Sequence, residues 1–527
     1  MRTRLNPLWT ALQEEGAVTP EVPAPYFFPY QFYVGGFVAS TYGAVGNGKV
    51  VSDGAMTIGS HTFTSASITA ADAGKAIVVS GAGGGAFTPL ATTISSAGAG
   101  SATLAAAATS SVSQAVAYYG TDDTAAIAAA QAAAVAYAQA GNGYAEIIFD
   151  PLMYCIAGAP VIGGATLGNA QIPLPIIVPT SQKITIVYRG VLDVTALPHW
   201  LQQTPQASGT VLACMRADGT NDIANGPASV IGGPYNGYGG GTVTNLLVTV
   251  DGISMLVPYN TTYCGWDFWG LAEANVITGA CMAAAVPPPT PIVPTMVNSA
   301  NISNQWTFGL RMPSFNNNDN CNIGWWSAEG LCYGVMPSEH TAADSIRAVY
   351  CIIGVETYSG AGTPMPHAGQ LNYVSAEVCQ QAIGFLDNTI NIDVETLDVE
   401  SAGAFFDPNN YGIGTIGWRV NGSGHYQDGG IGTGGANLRV IQKNMPPGPQ
   451  TAGAPAAPAS TVPQFNWYYR DAQVWLSTSG GSITAVSVGG LTLPITAGTD
   501  VGPVAVPSGK SYTVTYTGTL STAWVLY

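Results

Sequence analysis

Apolar and polar residues alternate in short segments through the middle and the end of the chain. Residues 390–395 and 512–516 show this pattern most clearly. Strict alternation is typical of a β-strand that buries one face. The Ala-rich stretch 125–140 does not alternate, and it predicts a buried helix. Thr121 or Asp122 is the expected N-cap of that helix. The pattern predicts a mostly β chain with one early helix.

A loose repeat runs through the central part of the chain. Short segments with a glutamate recur at Glu329, Glu356, Glu377 and Glu400, so the intervals are 27, 21 and 23 residues. Repeats of 20–50 residues are typical of solenoids, in which each coil buries its apolar face only by stacking on its neighbours. The repeat predicts a long stack of β-coils.

Composition narrows the possible functions. The chain has 527 residues, of which 66 are glycine and only 8% are charged, and its formal net charge is −16. Nucleic acid is not expected as a partner, because such proteins cluster Lys and Arg. Membrane insertion is not expected either, since no uncharged apolar run reaches 18 residues. No secretory signal is visible in residues 1–13, so we expect synthesis in a cytoplasm.

No metal site or cofactor is predicted. The eight cysteines are at least 11 residues apart, the five histidines have no ligand spacing, and no glycine run precedes a phosphate-binding helix. In a reducing cytoplasm the cysteines should remain thiols packed in the core.

Composition also divides the chain into segments. Residues 1–35 are rich in proline and aromatic residues, which predicts an extended segment that docks onto another surface. Residues 50–119 are rich in Thr, Ser and Gly and predict a small β-domain. Residues 446–463 predict a Pro/Ala linker, and residues 464–527 predict a small antiparallel β-sandwich.

Two groups of motifs resemble known families. The sequence YGAVGNG at 42–48, DDTAAI at 122–127 and IIF at 147–149 resemble the start of pectate-lyase-like right-handed parallel β-helices, which are common in bacteriophage tailspikes and tail fibres. Here the motif is split by residues 50–119, and Asn47 stands where Asp is usual. The sequences RDAQVWL, GGSITAVSVGG and VPSGKSYTVTY within 464–527 resemble the C-terminal β-domain of minor tail proteins of phages that infect actinobacteria.

These resemblances imply an all-β fold. It consists of a right-handed parallel β-helix (36–49 and 120–445) with a short N-terminal capping helix, an inserted β-domain (50–119) and a C-terminal β-sandwich. They also imply a phage virion protein, synthesised in the host cytoplasm: a minor tail protein, tail fibre or spike that forms a homotrimer. Residues 1–35 would attach it to other tail proteins, and its expected target is a polysaccharide on the host cell surface.

Two hypotheses about activity remain open. The chain is either a non-enzymatic adhesin or a depolymerase that hydrolyses an envelope polysaccharide. Glycoside hydrolysis needs two carboxyl groups about 5–5.5 or 6.5–9.5 Å apart, and stacked coils about 4.8 Å apart can supply them. The candidate catalytic residues are therefore Glu356, Glu377 and Glu400, although acidic side chains also serve solubility in a chain with few charges.

Clustered aromatic residues are the candidates for sugar contacts. Trp266, Trp269, Trp325 and Trp326 could present flat apolar faces with a polar edge to a glycan, or they could pack in the core. Because neighbours on a strand face opposite sides, we expect Trp325 or Trp326 to point outward.

A lyase is less favoured, since no acidic cluster with a partnering base is visible. A bacterial extracellular enzyme is disfavoured by the missing signal and the phage-like C-terminus.

Overall fold

The computed structural model describes most of the chain. It covers residues 35–84, 88–162, 169–177, 181–192, 209–218, 221–222, 226–233, 244–259, 263–284, 308–313, 321–337, 341–357, 367–377, 379, 381–385, 390–400, 404–406, 414–418, 438–442, 450–451, 457–466, 471–507 and 510–526. Residues 1–34 of the predicted attachment segment, and 446–449 and 452–456 of the predicted linker, lie outside the described residues.

A closed antiparallel barrel follows the first strand, β1 (Gly36–Val38), and a 3₁₀ turn at Ala39–Tyr42. Its order is β2-β3-β6-β5-β4-β7, and its apolar side chains point inward. Closing the barrel leaves no free edge to pair with other chains. The strands are β2 (Lys49–Met56), β3 (Thr62–Thr64), β4 (Ala76–Val79), β5 (Leu90–Gly98), β6 (Ser101–Leu104) and β7 (Val112–Gly120), with a 3₁₀ turn at Ala70–Asp72.

The predicted helix is present as α1 (Thr124–Tyr137), followed by a π-helical turn at Ala138–Asn142. The N-cap position belongs to Asp123 and not to Thr121 or Asp122. Asp123 does not cap its own helix, because its carboxylate accepts backbone N–H groups from other segments. Asp122 Oδ1 accepts the Thr124 N–H at 3.0 Å.

Most of the remaining strands are parallel and lie in two long sheets. They are β8 (Tyr144–Ile148), β9 (Met153–Ile156), β10 (Val161–Ile162), β11 (Asn169–Pro173), β12 (Ile184–Arg189), β13 (Thr210–Cys214), β14 (Asn221–Asp222), β15 (Gly226–Pro227), β16 (Ser229–Gly232), β17 (Thr244–Pro258), β18 (Cys264–Asp267), β19 (Leu271–Ala284), β20 (Phe308–Arg311), β21 (Cys321–Glu329), β22 (Tyr333–Met336), β23 (Thr341–Val349), β24 (Ile353–Thr357), β25 (His367–Glu377), β26 (Gln381–Phe385), β27 (Ile390–Glu400), β28 (Ala404–Phe406), β29 (Gly414–Trp418) and β30 (Leu438–Gln442).

The two sheets grow together along the chain. The first runs β1-β8-β12-β17-β19-β21-β23-β25-β27-β29-β30, and the second runs β10-β11-β16-β18-β20-β22-β24-β26-β28. From β16 to β29 successive strands alternate between the sheets, so each turn of the chain adds one parallel strand to both. This is the strand arrangement of a parallel β-helix, and the prediction of a mostly β chain is confirmed.

Apolar side chains from both sheets and from α1 form one core. Buried residues stack in register from turn to turn, as Ile323, Ala343, Leu371 and Val394 do. Seven of the eight cysteines are buried, and none of the eight forms a disulfide. Within the described part of the chain, no helix has the length and hydrophobicity needed to cross a lipid bilayer.

The barrel packs against the outer face of the first sheet. Tyr118 on β7 is buried there, and its hydroxyl donates to the Cys214 carbonyl at 2.8 Å. Outward-pointing apolar residues of β13, β17 and β19 complete a second core under the barrel. Met282 is one of them, at 5% exposure. The barrel thus covers the first turns of the coil and leaves the later turns uncovered by it.

The last strands form two four-stranded antiparallel sheets, β31-β38-β33-β36 and β32-β37-β34-β35. Inward-pointing residues of both sheets share one apolar core, with Val474 and Trp524 from the first sheet and Val514 from the second. The strands are β31 (Gln450–Thr451), β32 (Gln464–Phe465), β33 (Ala472–Ser479), β34 (Ile483–Val488), β35 (Leu491–Thr492), β36 (Asp500–Val506), β37 (Ser511–Tyr516) and β38 (Thr519–Leu526).

Candidate functional site

The outer side of strands β21, β23, β25 and β27 carries polar side chains in register. Ser327, Arg347, Ser375 and Asp398 follow one another across the four strands. Adjacent strands lie about 4.8 Å apart, so the set spans about 14 Å across the coil. We call the following residues the outer polar face: Trp325, Arg347, Tyr373, Ser375, Glu377 and Asp398.

An arginine–carboxylate pair lies on this face. Arg347 Nε and Nη2 donate to Glu377 Oε1 and Oε2, each at 3.1 Å. Both side chains are about one-third exposed, at 31% and 28%. At this exposure an ion pair adds at most about 1 kcal/mol of stability, so its main effect is to fix the direction of both groups. The bidentate geometry occupies both carboxylate oxygens of Glu377.

A phenol–carboxylate pair lies beside it. The Tyr373 hydroxyl donates to Asp398 Oδ2 at 3.0 Å. Burial raises the pKa of Tyr373, and the hydrogen bond to Asp398 raises it further, so the phenol stays protonated and continues to donate. Next to this pair, Asn372 Nδ2 donates to Asp344 Oδ1 at 2.9 Å. The strands therefore present a patch of oriented donors and acceptors.

The structure separates the three candidate catalytic glutamates. Glu377 and Glu400 are register partners on β25 and β27, as a ladder requires. Glu356 lies on β24 in the second sheet and is fully buried. The residue of the first sheet that aligns with Glu377 on the preceding strand is Val349. The side chain of Glu400 lies outside the described residues.

Three of the four candidate tryptophans are buried. Trp266 packs edge-on to Tyr188 with ring centroids 5.3 Å apart, and Trp326 Nε1 donates to a backbone carbonyl inside the coil. Trp269 is 5% exposed and lies against the Arg311 guanidinium, 4.6 Å from the ring centroid. These three indoles pack in the interior rather than on the protein surface. Trp325 points outward and is partly exposed, as the alternation along its strand predicts.

A buried ion pair in the second sheet was not predicted from the sequence. Arg311 is 1% exposed, and its guanidinium donates to both oxygens of Asp267 at 2.8 and 2.6 Å. The two residues are register partners on β18 and β20, and no local motif marks them. Because such a pair is buried and its hydrogen bonds are complete, we assign it a structural role. Among the described residues, no group of three His, Cys, Asp or Glu side chains could hold a metal ion.

Comparisons with known proteins return three phage tailspikes. No family model matches the chain, and no curated protein matches it. The solved structures that it resembles include tailspike gp61 of Pseudomonas phage phi297 (TM-score 0.21, 9% identity, covering 91% of this chain and 81% of that chain). The second is tailspike gp49 of Pseudomonas phage LKA1 (TM-score 0.18, 10% identity, covering 91% of this chain and 82% of that chain). The third is the Gp54 tailspike of Acinetobacter baumannii bacteriophage AP22, in complex with capsular saccharide (TM-score 0.19, 8% identity, covering 91% of this chain and 83% of that chain). At these TM-scores the likeness carries no argument about this chain.

Proposed function

We propose that this chain is a phage tail fibre or spike, a minor tail protein of the virion, and that it binds a glycan on the host cell surface. The split β-helix motif and the C-terminal motifs support the assignment to a phage tail. The outer polar face supports the binding of a glycan, and it is the observation on which the functional proposal rests.

The proposed architecture follows the predicted segments. The two parallel sheets form a right-handed β-helix (36–49 and 120–445) that α1 caps, the barrel is the inserted domain (50–119), and the two C-terminal sheets form a sandwich (464–527). Residues 1–35 attach the chain to other tail proteins, and residues 446–463 link the last two units. The functional assembly is a homotrimer, in which threefold repetition of each site raises avidity.

The outer polar face has the chemistry that sugar hydroxyls require. A guanidinium, a phenol and carboxylates are held in fixed directions on the same side of the sheet as the partly exposed indole of Trp325. Such groups donate to and accept from hydroxyls, and an indole presents an apolar surface with a polar edge. Because the strands fix the spacing of these groups, little conformational entropy is lost when a ligand binds.

Binding without cleavage is the better supported activity. Glu377 is the described member of the glutamate ladder on the outer polar face, and both of its oxygens accept hydrogen bonds from Arg347. This pairing with the guanidinium occupies both carboxylate oxygens, so neither oxygen points toward the glycosidic oxygen of a bound sugar. The alternative is a depolymerase. It is supported by the register of Glu377 with Glu400 on strands about 4.8 Å apart, which is near the spacing of a retaining pair.

A binding and release assay tests the proposal. The full chain is incubated with envelope polysaccharide purified from a host of the phage, and both retention and the soluble products are measured, the latter by mass spectrometry. We expect retention with intact polysaccharide. Oligosaccharides of regular size would instead establish a depolymerase, and an absence of retention and of products would refute both activities.

A single-hydroxyl substitution tests the site. Tyr373→Phe removes a hydroxyl that orients Asp398 and that can accept a hydrogen bond from a sugar. It should weaken polysaccharide binding about fivefold, since a hydrogen bond to the ligand contributes about 1 kcal/mol. Tyr516→Phe is the matched control, because it removes a Tyr hydroxyl that donates to the Pro458 carbonyl in the C-terminal module. Equal affinities of the two variants would show that the outer polar face is not the binding site.

A further inference from the structure

The C-terminal module exposes a tryptophan on the outside of its first sheet. On β33, Val474 and Leu476 point into the module core, whereas Trp475 points outward and is 37% exposed. It is the most exposed tryptophan among those whose side chains the structure describes. An indole in this position presents a flat apolar face with a polar edge to solvent.

Small residues surround the indole on the two neighbouring strands. Trp475 pairs with Ala523 on β38. On the other side, β36 bulges at Gly502, where a Cβ atom would lie 3.3 Å from the indole Cδ1. Gly502 and Ala523 are both exposed. The sheet therefore leaves the indole uncovered, and a side chain at position 502 would crowd it.

Polar groups line one side of the indole. Ser477 lies two residues along β33, on the same face, and its register partners are Ser521 on β38 and Asp500 on β36. Ser477 and Thr499 hydrogen bond to the Asp500 carboxylate and lower its pKa, which keeps it an acceptor at neutral pH. On this side of the indole, the described residues thus supply hydroxyl groups and the Asp500 carboxylate.

We propose that Trp475 is the platform of a second glycan-binding site, which takes an uncharged saccharide. One sugar ring stacks on the indole, and its hydroxyls bond to Ser477, Ser521 and Asp500. The inference rests on the proposed function, since it assumes that the chain binds glycan, but it assigns a separate site in a separate module. Two sites on one chain would act together through avidity.

Charge and composition favour this ligand over others. The Asp500 carboxylate and the net charge of −16 oppose an anionic polymer or a nucleic acid. A stable protein interface buries about 800 Å² on each side around an apolar centre. The outward neighbours of Trp475 along its strand are Ser477 on one side and Gln473 on the other. The register partners of Gln473 are Ala505 and Val525, so few apolar side chains adjoin the ring.

The test uses the full chain and an array of neutral oligosaccharides, followed by affinity measurement on those bound. Trp475→Ala should lower the affinity at least about tenfold, as removal of an aromatic anchor does. Leu491→Ala is the matched control, because it removes a side chain that is 76% exposed in the same module, and it should bind as the unmodified chain does. Ala523→Gln keeps the tryptophan but covers its edge, and it should weaken binding as well. Thermal unfolding checks that each variant is folded.

The outcomes separate the two proposals. If the unmodified chain binds saccharide and Trp475→Ala binds equally well, the second site is refuted and the outer polar face stands. If Trp475→Ala instead changes the mass of the assembly in light scattering, the tryptophan is a contact between copies, and the second site is again refuted. If the unmodified chain binds neither the array nor the envelope polysaccharide, the proposed function itself fails.

Discussion

Asp123 connects three segments that are far apart in the sequence, and its removal should loosen the start of the coil. Its Oδ1 accepts the Val45 N–H at 2.6 Å, and its Oδ2 accepts the Gly46 and Cys155 N–H groups at 3.3 and 3.2 Å. The side chain is 1% exposed. These bonds fasten the YGAVGNG loop to β9 beside the start of α1, so the motif holds the entrance of the coil together.

The expected cost follows from the donors that would lose their partner. In Asp123→Ala, the N–H groups of Gly46 and Cys155 remain buried without an acceptor, at about 1–3 kcal/mol each. The Val45 N–H is only partly buried and adds less. Relief of the buried charge offsets part of the loss, because burial raises the pKa of Asp123 and so disfavours its ionised form. A net loss of about 3 kcal/mol of local stability is expected.

Amide hydrogen exchange, followed by mass spectrometry, measures this loss of stability in the segments that Asp123 connects. Peptides that cover residues 43–48 and 153–157 should exchange about 100-fold faster in Asp123→Ala, which corresponds to the loss of about 3 kcal/mol. Asp344→Ala serves as the control, because Asp344 is exposed and accepts one side-chain bond from Asn372. Equal exchange of these peptides in the two variants would refute the reasoning.

Two further predictions concern packing. Gly279→Val should cost about 1–3 kcal/mol of unfolding free energy in a urea titration, because a Cβ atom at Gly279 would lie 2.9 Å from the Trp326 ring. Gly98 has open space around it, so Gly98→Ala should cost far less. Equal costs of the two substitutions would contradict this account. Tyr118→Phe removes the hydroxyl that donates to Cys214 and should cost about 1 kcal/mol in the same titration, with faster proteolytic release of the barrel. An unchanged cleavage rate would show that this bond does not hold the barrel.

Individual strands and the helix were visible in the sequence. Alternation at 390–395 predicted a strand that is present as part of β27, and the Ala-rich stretch predicted α1. The N-cap was misplaced by at least one residue because three consecutive polar residues, Thr121, Asp122 and Asp123, all have capping chemistry. Only the distant backbone partners of Asp123 distinguish it from the other two, and these partners are set by tertiary structure.

The repeat was detected, but its register was not. Glu356 resembles the other glutamates of the repeat in spacing, yet it belongs to the second sheet. One turn of the coil contributes a strand to each sheet, so spacing alone does not tell which strand a glutamate is on. The position in the first sheet that the pattern should have chosen is occupied by Val349.

Burial of outward-facing residues was also beyond sequence reasoning. Met282 points away from the coil but is covered by the barrel, whose strands come from residues 49–120. Trp325 reaches the edge of that contact and is partly exposed, whereas Trp326 is enclosed. Period-two patterns assign the faces of a strand, but they do not reveal which outer faces another unit covers.

The outer polar face lies on paired strands of the coil, so the strand register fixes the positions of its side chains. Its members come from four strands whose register partners are 20, 28 and 23 residues apart, and each is positioned by pairing rather than by a loop. Since successive residues face opposite sides, a shift of one residue in β25 would turn Tyr373, Ser375 and Glu377 into the core and bring Val374 and Ala376 to the surface. The buried apolar rows therefore enforce the register of the polar rows. A surface that is built in this way can vary its outward residues without disturbing the fold, whereas its geometry stays fixed by the core.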